Sequence, residues 1–133
     1  PHPAAGAWLV TARPPLGAFN IELDTNDVAV AKEVAAAVRE SGGGLPGVRA
    51  IGLLLSTGRA QVSMNIHDPV SLPLARVVEA VRDQAALRDA VPIEAELIGL
   101  IPEAALEDYP ADVPIRDFDP AFHVIERRVS GER

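Results

Sequence analysis

Cysteine is absent from the 133 residues, which excludes a disulfide framework, thiolate chemistry and a zinc–cysteine site. Lysine is almost absent: Lys32 stands alone among 12 basic residues, and the rest are arginine. With 19 acidic residues the formal net charge is −7, so clustered cations for nucleic-acid phosphate are lacking and no nucleic-acid partner is expected. The arginines leave local binding of planar carboxylates open. Aromatic residues are only 4%, so the core must be aliphatic, and the stacking residues of an RNA-binding sheet are missing. No apolar run approaches membrane-spanning length. No membrane partner is expected, and a soluble cytoplasmic protein is the default. The chain opens on Pro1 and has four prolines in its first twenty residues, the look of a cut inside a longer polypeptide.

What the sequence does contain is alternation. In "FNIELD", Phe19, Ile21 and Leu23 alternate with Asn20, Glu22 and Asp24, the two-residue period of a strand with one apolar face. Thr25 or Asn26 is placed to cap a helix over about Asp27 to Arg39, with Val28, Ala31, Val34, Ala35 and Val38 on one stripe. "VRAIGLLL" from Val48 and "AQVSMNIH" from Ala60 form a hairpin around "STGR". Leu74, Val77, Val78, Val81 and Ala85 mark a second amphipathic helix from near Pro73 to about Ala90. Ile93, Ala95 and Leu97 give a fourth strand, followed by a helical turn near Ala104 to Leu106 and a proline- and acid-rich stretch. "HVIERRV" reads as a last strand or helical piece.

The order strand, helix, strand, strand, helix, strand predicts an α+β, ferredoxin-like βαββαβ fold. It has a four-stranded antiparallel sheet with two helices on one face, the first and third strands central. Residues 1–18 are expected as an arm and proline-rich entry, 19–106 as the ferredoxin-like body and 107–133 as a C-terminal tail. With the apolar faces turned to the helices, Asn20 and Glu22 would sit beside Gln61, Ser63 and Asn65 on the bare face. That row could be a solvated surface. Amides in place of the usual strand-covering residues also suit a heterocycle or another domain's backbone.

Other patterns carry less. "GGGLPG" matches G-x-G-x-x-G but follows a helix and precedes a strand, the reverse of a dinucleotide fingerprint, so it reads as a helix stop. His2, His67 and His123 have no ligand spacing, and no metal is expected. His67 and Asp68 read as a turn with an exposed histidine. Glu94 and Glu96 read as solvated acids on one strand face.

Taken in order, "ARPPLGAFNIELDT", "SGGGLPGVRAIG", "AQVSMNIHD" and "AELIGLIPEAAL" resemble the C-terminal subdomain of glutamate formiminotransferase, the folate enzyme of histidine breakdown. The resemblance runs from about Ala5 to Leu106. It implies a partner, an N-terminal subdomain of related fold whose sheet stacks on this one, with the folate between them. It implies transfer of a formimino group from N-formimino-L-glutamate to N5 of tetrahydrofolate as co-substrate. The family's catalytic histidine lies in that other subdomain, so no histidine here inherits its role, and this chain alone would be inactive.

The family's folate-contacting segment matches Thr11, Ala12, Arg13, Pro14, Pro15, Leu16, Gly17, Ala18, Phe19 and Asn20. There Arg13 would meet a carboxylate of folate or of the donor. Gln61, Ser63 and Asn65 join this set from strand geometry. Thr11 stands where the family usually has glycine, and if that position needs a positive φ the branched side chain would strain it; Gly17 stands where the family has a larger aliphatic, a change expected to enlarge or loosen the pocket. The alternatives are a stand-alone small-molecule-binding regulatory module and a face used only for homo-oligomer packing.

Overall fold

The computed structural model describes residues 3–4, 6–7, 12 and 14–131. Four strands, β1 (Gly17–Leu23), β2 (Val48–Leu54), β3 (Ala60–Ile66) and β4 (Pro92–Ile98), form one antiparallel sheet in the order β2-β3-β1-β4. Helix α1 (Val28–Val38) links β1 to β2 and α2 (Leu74–Ala86) links β3 to β4. The α+β, ferredoxin-like arrangement is therefore present, with β1 and β3 at the centre.

Alternation decides which face the helices cover. Phe19, Ile21 and Leu23 of β1 and Val62, Met64 and Ile66 of β3 are buried, as are Ala31, Val34, Ala35 and Val38 of α1 and Leu74, Val77, Val78, Val81 and Ala85 of α2. These side chains make one aliphatic core. Helix α1 comes so close to β2 that a Cβ built at Gly52 would lie 2.2 Å from the Lys32 backbone nitrogen and 2.3 Å from the Ala31 carbonyl carbon. Only a residue without a side chain permits that contact.

The helix ends depart from the sequence reading. Asp27, not Thr25 or Asn26, caps α1: its carboxylate accepts from the Ala29 amide at 2.8 Å, while Thr25 Oγ1 accepts from the Asp27 amide at 3.1 Å. The caps are staggered, and the residue with the extended backbone just before the helix takes the decisive position. Helix α2 starts at Leu74 with Pro73 as its cap position and ends at Ala86, short of Ala90. Asp89 adopts a left-handed backbone (φ 53), and the Ala90 amide donates back to the Ala85 carbonyl at 3.0 Å. That six-to-one bond is the Schellman stop, here built without glycine. After α1, a 3-10 turn (Glu40–Gly42) and Gly43 at φ 83 end the helix, as the glycine run implied.

Residues 107–131 are tied into the body. Tyr109 sets its ring edge-on to Phe19 with centroids 6.3 Å apart and donates from its hydroxyl to the Val113 carbonyl at 2.8 Å. Burial pushes its phenol well above the ordinary value, with Asp112 adding to the rise. Residue 115 then runs parallel to β4: the Ala95 amide donates to the Pro114 carbonyl and the Arg116 amide to the Ala95 carbonyl, both at 2.8 Å. Val124 bridges Ile101, and the last segment is helical, as α3 (Pro120–His123) and α4 (Ile125–Ser130). Among the described residues no helix is long and apolar enough to cross a membrane.

The Gly52 contact predicts that Gly52→Ala costs about 3 kcal/mol, because backbone must shift to admit one methyl group. Ile51→Ala, at an exposed neighbouring site, should change stability by roughly 0.5 kcal/mol or less. Urea midpoints of the two variants measure the contrast.

Candidate functional site

The pairing register assembles the face opposite the helices from three cross-sheet rows. The first is Arg49, Asn65, Ala18 and Ile98; the second is Ile51, Ser63, Asn20 and Glu96; the third is Leu53, Gln61, Glu22 and Glu94. Asn20, Gln61, Ser63 and Asn65 therefore do share the face that no helix covers. Across the sheet the character changes. β2 contributes Arg49 and the aliphatic Ile51 and Leu53, β3 the polar Asn65, Ser63 and Gln61, and β4 Ile98 and the carboxylates Glu96 and Glu94.

Two polar contacts fix the acidic side. Asn20 Nδ2 donates to Glu96 Oε2 at 3.0 Å. This commits the amide's donor end and leaves its oxygen available as an acceptor. Arg116, brought over the β4 edge by the backbone bonds at Ala95, donates to Glu94 Oε2 from Nε at 2.8 Å, and its Nη2 bonds both Glu22 and Glu94. Glu22 is only 6% exposed and Gln61 4%. A carboxylate so deep in a sheet is stable only with a charged or hydrogen-bonded partner, and Arg116 provides one. The two carboxylates, drawn by the strand pairing to one face, raise the guanidinium's affinity for its proton, Glu94 most and Glu22 next. Glu94 and Glu96 are thus partnered, not merely solvated. Neither Arg116 nor its clamp is readable from periodicity, since its place depends on the path of a segment with no repeat; its one clue is a lone cation in the acid-rich "VPIRDFDP".

The segment from Thr11 to Asn20 is divided. Thr11 and Arg13 lie outside the described residues. Ala12, Pro14 and Pro15 are exposed and Leu16 is half-buried. Within β1 the segment alternates: Ala18 and Asn20 reach the open face, while Gly17 and Phe19 turn to the helix side, with Phe19 fully buried in the core. The Gly17 position meets Ile101 and Pro69 side chains at 3.5 Å. The volume of a larger residue there is taken up by core atoms, so the expected loosening of a pocket on the open face does not follow. His67 and Asp68 form an exposed turn; the Ser71 hydroxyl, and then its amide at 3.1 Å, hold the Asp68 carboxyl below its ordinary value.

Comparison with known proteins places this geometry. The formiminotransferase domain matches residues 18–112, the span from β1 through β4 and the 3-10 turn Glu103–Leu106 that follows it. The chain belongs to the formiminotransferase family. It is similar to the glutamate formimidoyltransferase of Streptococcus pyogenes serotype M1, 38% identical over 98% of this chain and 44% of the relative. It is similar to that of Thermoplasma acidophilum too, 38% identical over 78% of this chain and 35% of the relative. The chain thus spans less than half the length of either formimidoyltransferase.

Removing the Arg116 guanidinium leaves two carboxylates facing each other, one of them buried. Arg116→Gln should lower stability, and Glu22→Gln in that background should restore part of it. A double-mutant cycle is expected to give a coupling of roughly 1 kcal/mol, discounted for the partial exposure of the arginine. Strictly additive losses would show that the pair does not interact.

Proposed function

We propose that the open sheet face is one wall of the folate site of a glutamate formimidoyltransferase. The reaction moves the formimino group of N-formimino-L-glutamate to N5 of tetrahydrofolate. The observation that carries this reading is the uncovered polar face within a chain that matches less than half of two glutamate formimidoyltransferases. A second subdomain, in the same or another chain, supplies the opposite wall and the proton-transferring group.

The residues here bind and orient. The free oxygens of Asn20 and Glu96 accept N–H groups from one edge of a pterin, and the half-buried Ser63 offers both donor and acceptor capacity beside them. The Arg116 clamp keeps Glu22 and Glu94 from repelling each other, so that the strand floor under the ring stays flat and fixed. A rigid floor lowers the entropy cost of holding N5 against the incoming carbon. Closing the second wall over it excludes water, which would hydrolyse the formimino group.

The 133-residue chain alone is expected to show no formimino transfer, and addition of the N-terminal subdomain of a formiminotransferase to restore turnover. In the reconstituted enzyme Asn20→Ala should lower kcat/KM for tetrahydrofolate about tenfold, the worth of one lost hydrogen bond to a bound ring. Full transfer activity of the isolated chain would contradict the division of labour.

A further inference from the structure

The two edges of the sheet differ. At β4 the chain adds its own backbone, since Ala95 bonds Pro114 and Arg116. Strand β2 forms the other edge and pairs only with β3. The ladder continues past both ends of β2, with the His67 amide donating to the Gly47 carbonyl at 3.0 Å and the Leu55 amide to the Arg59 carbonyl at 2.9 Å. Antiparallel bonding alternates along a strand, so Arg49, Ile51 and Leu53, in phase with Gly47 and Leu55, bond toward β3. Val48, Ala50, Gly52 and Leu54 then turn their N–H and C=O groups outward. The Val48 amide is taken by the Leu45 carbonyl at 3.2 Å, whereas the outward groups of Ala50, Gly52 and Leu54 have no backbone partner among the described residues.

Such an edge is a template for a further strand unless proline, a bulge or shortness spoils it. Strand β2 has seven residues and no proline, its register runs without a bulge, and Ile51 and Leu54 are exposed. A cleft of about 500 Å³ lies at its first half, lined by Arg39, Ser41, Arg49 and Ala50 among others, with Glu40 as the one acid. Arg39 Nε is the one buried side-chain nitrogen or oxygen without a hydrogen-bond partner among the described residues. A buried donor of this kind calls for an acceptor.

We propose that the β2 edge receives an extended segment of another protein as an added strand, acidic beside Arg39 and Arg49 and aliphatic beside Ile51 and Leu54. Main-chain bonds to Ala50, Gly52 and Leu54 supply the affinity, and the charges set the direction. A second copy of the chain fits less well, because β2 contains no acid and self-pairing would bring no carboxylate from the added strand to either arginine. The added strand lies in line with the sheet, beside the open face and not on it, so its binding does not depend on the folate reading.

The test is amide chemical-shift and hydrogen-exchange mapping of the whole chain with a blocked hexapeptide of two aspartates followed by alternating valine and threonine, and with the reverse sequence. One of the two should give saturable shifts and slowed exchange at Ala50, Gly52 and Leu54, with the amides of β4 unchanged. The same peptide with lysine for aspartate, or N-methylated at alternate residues in the phase that faces the edge, should bind at least tenfold more weakly. The exposed Arg49→Glu should weaken the aspartate peptide about tenfold with far-UV circular dichroism unchanged. The proposal is overturned if neither direction saturates, if the lysine or N-methylated peptide binds equally well, or if Arg49→Glu binds like the parent. Protection of the same amides that grows with protein concentration in the absence of peptide would assign the edge to self-pairing and overturn it too.

Discussion

Both helices pack on the side of the sheet that carries Phe19, Ile21, Val62 and Met64, and among the described residues no helix covers the other side. This one-sided cover follows from strand period. Apolar side chains fall on one face of β1 and β3, and two helices with aliphatic stripes are enough to bury it. Gly52 sharpens the arrangement, because it lets the backbone of α1 rest directly on an edge strand. The opposite face then has to be compatible with water, a ligand or another sheet, and its residues show which demands were met.

On that face the side nearest β4 is settled internally. Arg116 crosses the sheet edge and holds Glu22 and Glu94, and Asn20 holds Glu96. The side nearest β2 carries the exposed Arg49, which pairs with no carboxylate among the described residues, and the exposed Ile51. The matched formimidoyltransferases extend well beyond the matched region.

The strands and both helices were legible because each declares itself by period. "FNIELD" and "AQVSMNIH" alternate without interruption, and the stripe from Leu74 to Ala85 was recovered residue for residue in the core. Helix ends were less legible for a physical reason: Thr25, Asn26 and Asp27 can all cap, and only the backbone angle at Asp27 chooses among them. The end of α2 was misplaced because its left-handed stop is an aspartate, Asp89, where composition would look for glycine. On the site, the register brought Asn20, Gln61, Ser63 and Asn65 together as alternation demanded. Phe19 and Gly17 could not serve the same face, for the same reason. Arg116 was out of reach of any periodic argument, because a guanidinium brought in from 94 residues along the chain depends on the path of the tail.

Folate is proposed to bind on the uncovered sheet face. The most direct measurement is a map of backbone amide shifts across the chain as 5-formyltetrahydrofolate is added. Changes should concentrate along the rows of Ala18 with Asn65 and Asn20 with Ser63, with α1 and α2 unaffected. Changes confined to the helices, or none along β1 and β3 at saturating ligand, would contradict it.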